Sequence, residues 1–313
     1  MLSINIFLYG ISFVALWFGA GLIISSVEKL SQKLKASSFA ISFFLLGLLT
    51  SIPEFAVGLT SIAQHDPEIF VGNLLGGIAV IFLLVIPVLA IFGKGITLHH
   101  QFENKTLLFT LAVIGAPSLL IIDRRISVLE GVVFIILYLL LFYFVERKKG
   151  VFDQENTHIL EVKAYSFIDL LKVLSGVVIA FISSQIIVDK TLYFSEVFRI
   201  SPFYISIIIL SIGTNLPELS LAVRSVISGK KEIAFGDYMG SAAANTLLFG
   251  VFTILNGGEV LTMSNFVIPF MFISIGLGLF YFFSSVKDTI SRNAGFVMLA
   301  FYIVFAFLEL GIR

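Results

Sequence analysis

Thr50-Ser51-Ile52-Pro53-Glu54 returns 164 residues later as Thr214-Asn215-Leu216-Pro217-Glu218. At the same offset Ile41–Leu84 falls on Ile205–Leu248 without a gap, and 14 of the 44 pairs are identical. The identical pairs include Thr50/Thr214, Pro53/Pro217, Glu54/Glu218, Glu68/Glu232, Gly72/Gly236 and Gly76/Gly240. A composition rich in leucine makes leucine match leucine by chance. It does not align Pro-Glu and two glycines at one offset. The chain therefore reads as two copies of one unit.

The surroundings of the repeat fix its solvent. Hydrophobic residues make up 58% of the 313 and charged residues only 13%, about half the charged share of a globular domain. Apolar runs of roughly 18 residues or more recur from end to end. Ten spans follow: Ile4–Val27, Ser38–Ala63, Ile69–Phe92, Thr106–Ile122, Ile126–Val145, Phe167–Val188, Pro202–Val226, Ile233–Leu255, Thr262–Ser284 and Ala294–Leu310. The expected fold is an all-α integral membrane protein with ten transmembrane helices in an inverted 5+5 repeat. Residues 1–145 form the first repeat, 146–166 a cytoplasmic linker and 167–313 the second repeat. The copies are inverted because an odd number of spans carries the second into the membrane upside down. Such repeats, with helix-breaking residues at matching places, mark secondary transporters.

Charge sets the orientation. With the N-terminus outside, 15 of the 20 Lys and Arg fall on the cytoplasmic side, in connections or at the inner ends of spans, and only Arg124, Arg125, Lys190, Arg199 and Arg313 stay out. The positive-inside rule then predicts both termini outside, in a multi-pass protein of the cell membrane. The N-terminus has no basic n-region and no small-residue cleavage site, so the first span reads as a retained helix. Zero net charge gives no sign of nucleic-acid binding, and the absence of cysteine excludes thiolate chemistry.

The repeated motif carries the chemistry. A mid-span proline removes a backbone hydrogen bond and frees a carbonyl, which is tolerated in lipid only where it lines a cavity or coordinates something. On a helix Thr50 and Ser51 share a face with Glu54, as Thr214 and Asn215 do with Glu218. Eighteen residues after each acid stand Gly72-Asn73-Leu74-Leu75-Gly76-Gly77 and Gly236-Asp237-Tyr238-Met239-Gly240-Ser241. Their glycines form small-xxx-small faces for close helix approach. Asp237, Ser241 and Asn245 make a polar stripe, reduced to Asn73, Gly77 and Ile81 in the first copy. A membrane carboxylate costs on the order of several kcal/mol unless paired, and no Lys or Arg is expected at the depth of Glu54 and Glu218. Two carboxylates with hydroxyl, amide and carbonyl oxygens suit a hard divalent ion taking about 6–8 oxygen ligands, hence Ca²⁺. A site so charged is costly to carry across empty, which favours antiport.

These motifs resemble the Ca²⁺/cation antiporter superfamily, and within it the prokaryotic sodium/calcium exchangers, over essentially the whole chain. Gly213–Glu218 followed by Gly236–Ser241 is the stronger match; Thr50–Glu54 followed by Gly72-Asn73 is the weaker. The resemblance implies that Glu54 and Glu218 are shared ligands of Ca²⁺ and Na⁺, and that Thr50 and Thr214 offer mainly backbone oxygens. It also implies Ser51, Asn215, Ser241 and Asn245 as side-chain ligands, with Asp237 beside them. Gly77 and Ile81 stand where the family has side-chain oxygens. Asn215 replaces a serine, Asn245 an acid or amide, and Asp237 an asparagine. The acid typical of proton-coupled relatives is absent at Gly76 and Gly240.

The function expected is a secondary antiporter exchanging Ca²⁺ for Na⁺, with H⁺ as the alternative counter-ion. Its partners would be metal-ion substrates and the lipid bilayer, with no cofactor; a monomer is compatible with this. A cation channel could use paired acids but needs no inverted repeat. An intramembrane enzyme lacks its signature here, since the spans hold no H-E-x-x-H motif and no serine–histidine pair.

Overall fold

The computed structural model describes residues 2–31, 44, 47–97, 104–147, 167–228, 231–257, 260–261, 265–287 and 289–311. The predicted linker at 146–166 lies almost wholly outside them. Eight helices among the described residues are long and apolar enough to cross a membrane, and two shorter apolar ones join them. The protein is a multi-pass, all-helical membrane protein.

In chain order the helices are α1 (Leu2–Ser31), α2 (Gly47–Thr50), α3 (Ile52–Ala63), α4 (Pro67–Phe92), α5 (Asn104–Leu120) and α6 (Val128–Arg147). The second half has α7 (Phe167–Phe198), α8 (Pro202–Thr214), α9 (Leu216–Ser228), α10 (Lys231–Leu255), α11 (Val267–Lys287) and α12 (Arg292–Gly311). Among the described residues wide π turns run over Ile81–Val85 inside α4 and Ser206–Leu210 inside α8, and Phe44 lies in another.

Most predicted spans coincide with these helices to within a few residues. Two differences have physical causes. α7 runs ten residues past the predicted end at Val188, because Asp189, Lys190 and Glu196 interrupt the apolar run without breaking the helix. Its extension is held by Phe194, buried against Tyr9, and by a Tyr9–Thr191 hydroxyl hydrogen bond of 2.8 Å. The spans carrying Pro-Glu are broken rather than continuous. The start of the first of them, predicted from Ser38, lies mostly outside the described residues.

Burial separates an inner layer from an outer one. Within the apolar stretches of α4 and α10, 89% and 78% of residues are buried, against 28% for α6 and 33% for α12. The outer helices turn large apolar side chains outward, among them Leu129, Phe142, Ile303 and Phe307. In water that surface would drive aggregation; against acyl chains it is at home. The inner helices approach through glycine. A Cβ on Gly76 would stand 2.2 Å from Ile207 O, and one on Gly47 2.4 Å from Gly240 C. Neither backbone could move aside, so only glycine permits α4 to meet α8 and α2 to meet α10 at these points.

Among the described residues four two-residue strands form two antiparallel pairs: β1 (Ile96–Thr97) with β4 (Thr289–Ile290), and β2 (Arg125–Ile126) with β3 (Val260–Leu261). The register pairs Ile96 with Ile290 and Ile126 with Val260. The 164-residue offset takes Ile96 to Val260 and Ile126 to Ile290. Each pair is thus the image of the other.

Candidate ion-binding site

The two Pro-Glu motifs build the site from helix ends. Ser51 (φ −79°, ψ 9°) separates α2 from α3, and Asn215 (φ −87°, ψ 19°) separates α8 from α9. Pro53 and Pro217 sit in the first turn of the new helices, where a missing N–H is tolerated. They cannot donate to the carbonyls of Leu49 and Gly213 four residues back. Glu54 and Glu218 follow immediately in those first turns, where helix dipoles favour negative charge.

Both acids are buried, at 1% and 0% exposure. Asn215 Nδ2 donates to Glu54 Oε1 at 3.1 Å, and Ser241 Oγ donates to Glu218 Oε1 at 2.7 Å. Thr50 Oγ1 donates to Gly47 O at 3.2 Å within the first half. Oε2 of each acid is buried with no hydrogen-bond partner, as are Asn215 Oδ1 and Asn245 Oδ1. Four acceptor oxygens from both halves are therefore left unpaired. Among the described residues no group of three or more His, Asp or Glu converges.

The neighbours are held in place by backbone. Ser51 Oγ donates to Gly47 O at 2.8 Å, and Asn215 Nδ2 to Ser211 O at 2.9 Å, matching bonds in the two halves. Ser51 and Ser241 hydroxyls lie 3.4 Å apart. Thr214 Oγ1 donates to Asn73 Oδ1 at 3.0 Å, and Asn245 Nδ2 to Leu74 O at 3.4 Å. Thr50, Ser51, Glu54, Thr214, Asn215, Glu218, Ser241 and Asn245 are all buried. Asp237 lies on α10, but its side chain is outside the described residues.

Two residues were undervalued by sequence. Asn73 is wholly buried and bonded to Thr214; its place in the reduced stripe was the available signal. Gly77 reads in sequence as a lost ligand, yet a Cβ there would stand 2.7 Å from Asn245 Nδ2 and 3.2 Å from Asn215 Nδ2. The space is filled by amides from the second half. Ile81 is buried and opens the π turn of α4, so the first-copy stripe ends in apolar packing.

The family model for sodium/calcium exchanger protein matches residues 4–146 and again 169–311. The chain belongs to the sodium/calcium exchanger family. Among the relatives of this exchanger-family chain is the putative antiporter CaxA of Alkalimonas amylolytica, 26% identical over 83% of each chain. Another is the sodium/calcium exchanger MaX1 of Methanosarcina acetivorans, 23% identical over 97% of this chain and 98% of that one. The fold is that of the sodium-calcium exchanger NCX_Mj soaked with Na⁺ and Sr²⁺, with a TM-score of 0.68 at 21% identity and full coverage of both chains.

Proposed function

We propose that this chain is a secondary active antiporter exchanging Ca²⁺ for Na⁺ by alternating access at the Glu54–Glu218 site. One observation carries the reading: two buried acids from opposite halves, each with an unpaired oxygen, are joined through polar side chains, Asn215 of the second half donating to Glu54 and Ser51 of the first half lying 3.4 Å from Ser241, which donates to Glu218. The side chains that bond to them are a hydroxyl and an amide. Two such charges cannot stay buried without a cation or a proton. A divalent ion among Glu54, Glu218, Thr50, Ser51, Thr214, Asn215, Ser241 and Asn245 would meet oxygen donors throughout, which suits Ca²⁺. Asp237 is proposed at the edge of the set. The ions are substrates, and no cofactor is invoked.

The architecture proposed is ten spans in two inverted five-helix units, 1–145 and 167–313, joined by a 146–166 linker. The paired strands and the twofold family match support it. The broken pairs α2/α3 and α8/α9 then count as one span each. α1 and α7 would shift against the inner layer, exposing the site first to one side and then to the other. The location proposed is the plasma membrane, and the charge distribution favours both termini outside. H⁺ remains the second counter-ion, since a proton also neutralises a carboxylate.

The test is Ca²⁺ uptake into proteoliposomes with Na⁺ and pH gradients imposed separately. Uptake driven by outward Na⁺ and indifferent to pH is expected. Uptake driven by pH alone would replace Na⁺ with H⁺, and passive uptake without a counter-ion would make the protein a channel.

A further inference from the structure

Gly77 and Asn215 look in sequence like two separate departures from an exchanger site. In three dimensions they are one. The 164-residue offset takes Gly77 to Ser241 and Ser51 to Asn215. Around Glu218 two hydroxyls stand together, Ser241 and Ser51, 3.4 Å apart, and Ser241 donates to the carboxylate at 2.7 Å. The image of that pair beside Glu54 is Gly77 and Asn215. Gly77 has no side chain. Asn215 reaches across the gap instead, its Nδ2 lying 3.2 Å from where a Gly77 Cβ would be and 3.1 Å from Glu54 Oε1. The nitrogen is the atom facing Glu54, because it also donates to Ser211 O at 2.9 Å.

The exchange of groups alters what the site can hold. A serine hydroxyl donates to a carboxylate and still offers lone pairs to a cation; an amide NH₂ donates only. No cation can therefore bridge Nδ2 and Glu54 Oε1. We propose that Gly77 and Asn215 are a coupled specificity pair, in which the Asn215 amide takes the place of one monovalent cation beside Glu54. The inference rests on the antiport reading and adds to it that the monovalent load is uneven. The Glu218 side keeps its two hydroxyl oxygens. The Glu54 side has a tethered donor in place of an ion, so fewer Na⁺ exchange for each Ca²⁺ than in a site with hydroxyls on both sides.

The experiment uses the full chain in proteoliposomes, comparing the unmodified protein with Gly77→Ser, Asn215→Ser and the double variant. Gly77→Ser alone puts a Cβ against two amide nitrogens, 2.7 and 3.2 Å away, and Asn215→Ser alone strips Glu54 Oε1 of its donor. Each single change is expected to weaken Ca²⁺ uptake about tenfold, the size of effect that follows when a buried polar group loses its partner. The double variant recreates the hydroxyl pair, and Asn245 Nδ2, the end of a flexible side chain held to Leu74 O at 3.4 Å, gives way to the new Cβ. That variant should regain most of the uptake, with a Hill coefficient for Na⁺ higher by about one. Additive losses in the double variant would overturn the coupling. Recovered uptake with an unchanged Hill coefficient would overturn the displaced cation.

The isosteric Asn215→Asp introduces no bulk and turns the donor into an acceptor. It should also steepen the Na⁺ dependence, and an unchanged dependence counts against the proposal. If the unmodified protein takes up no Ca²⁺ on a Na⁺ gradient, the antiport reading fails instead. Ca²⁺ binding to the same four proteins in detergent then still decides whether positions 77 and 215 are coupled.

Discussion

Glu218 receives a hydroxyl and Glu54 an amide, and this difference orders the residues of the site. Glu54→Gln and Glu218→Gln keep the volume and remove a negative charge, so the fold should survive while the site loses its claim on a divalent ion. Each is expected to reduce Ca²⁺ uptake to background, with unchanged gel-filtration profiles in detergent. Wild-type flux from either would remove the glutamates from the mechanism. Asp66, at the start of α4, is an acid of another kind. Partial burial and, after it, the neighbouring Glu68 raise its pKa from the ordinary aspartate value, against a smaller opposing pull from His65. A carboxyl whose pKa is raised on folding disfavours the folded state once it ionises, so its penalty is absent below the unfolded-chain value, grows as pH rises from there and is complete above the raised one. Asp66→Asn should therefore raise the melting temperature at pH 7.5 and leave it unchanged at pH 3, where the native residue is already protonated. Equal shifts at both pH values would assign the effect to something other than charge. The acids, their prolines and the threonines were legible in sequence, because repetition at one offset singles them out. The link between Gly77 and Asn215 was not, because it depends on adjacency between halves of the chain.

At the scale of elements, the Pro-Glu breaks and the glycine approaches were foreseeable from proline and glycine chemistry. The π turns were not, since no residue type marks them. Nor was the way α7 closes over α3. Thr60 and Ser184 share a 2.7 Å hydroxyl hydrogen bond, and Gln64 Nε2 donates to Asp189 Oδ1 at 2.7 Å. Ala56, Val57 and Ser61 on the same helix are buried. The image of this helix, α9, is less covered: Val223 is 49% exposed where its counterpart Leu59 is half-buried. Alternating access by movement of α7 requires the α3 contact to break. The chain has no native cysteine, so Thr60→Cys with Ser184→Cys gives one possible disulfide. Sulfurs placed where oxygens lie 2.7 Å apart need little adjustment to reach bonding distance of about 2.05 Å. Oxidation should stop Ca²⁺ uptake and reductant restore it, while either single cysteine transports in both conditions. Full transport by the cross-linked protein would show that α3 and α7 stay together through the cycle.

For the whole molecule, inversion decides between one continuous pathway and two opposed half-sites, and it is open to direct measurement. Sequence alone placed the repeat at 41–84 and 205–248, where chemistry constrains both copies. It could not detect the strands, because two residues carry no usable periodicity. Yet those strands show which ends of the molecule lie together. β1 pairs with β4, so the end of α4 and the start of α12 lie together; β2 pairs with β3, so the start of α6 and the end of α10 lie together. α4 has 26 residues and spans about 39 Å at 1.5 Å per residue, enough to separate Asp66 from Lys94 by a full bilayer core. Single cysteines at Lys94 and Ser291 should then react with an impermeant maleimide from one side only. Cysteines at Asp66, Arg125 and Asn256 should react from the other. The informative comparison is Phe92 with Asn256, counterparts at the 164-residue offset: in a parallel repeat they share a side, and in an inverted one they do not. Labelling of both from the same side would leave Glu54 and Glu218 as acids of two like-oriented units. The shared site, the displaced cation beside Glu54 and the α3–α7 closure would then all lose their geometric basis.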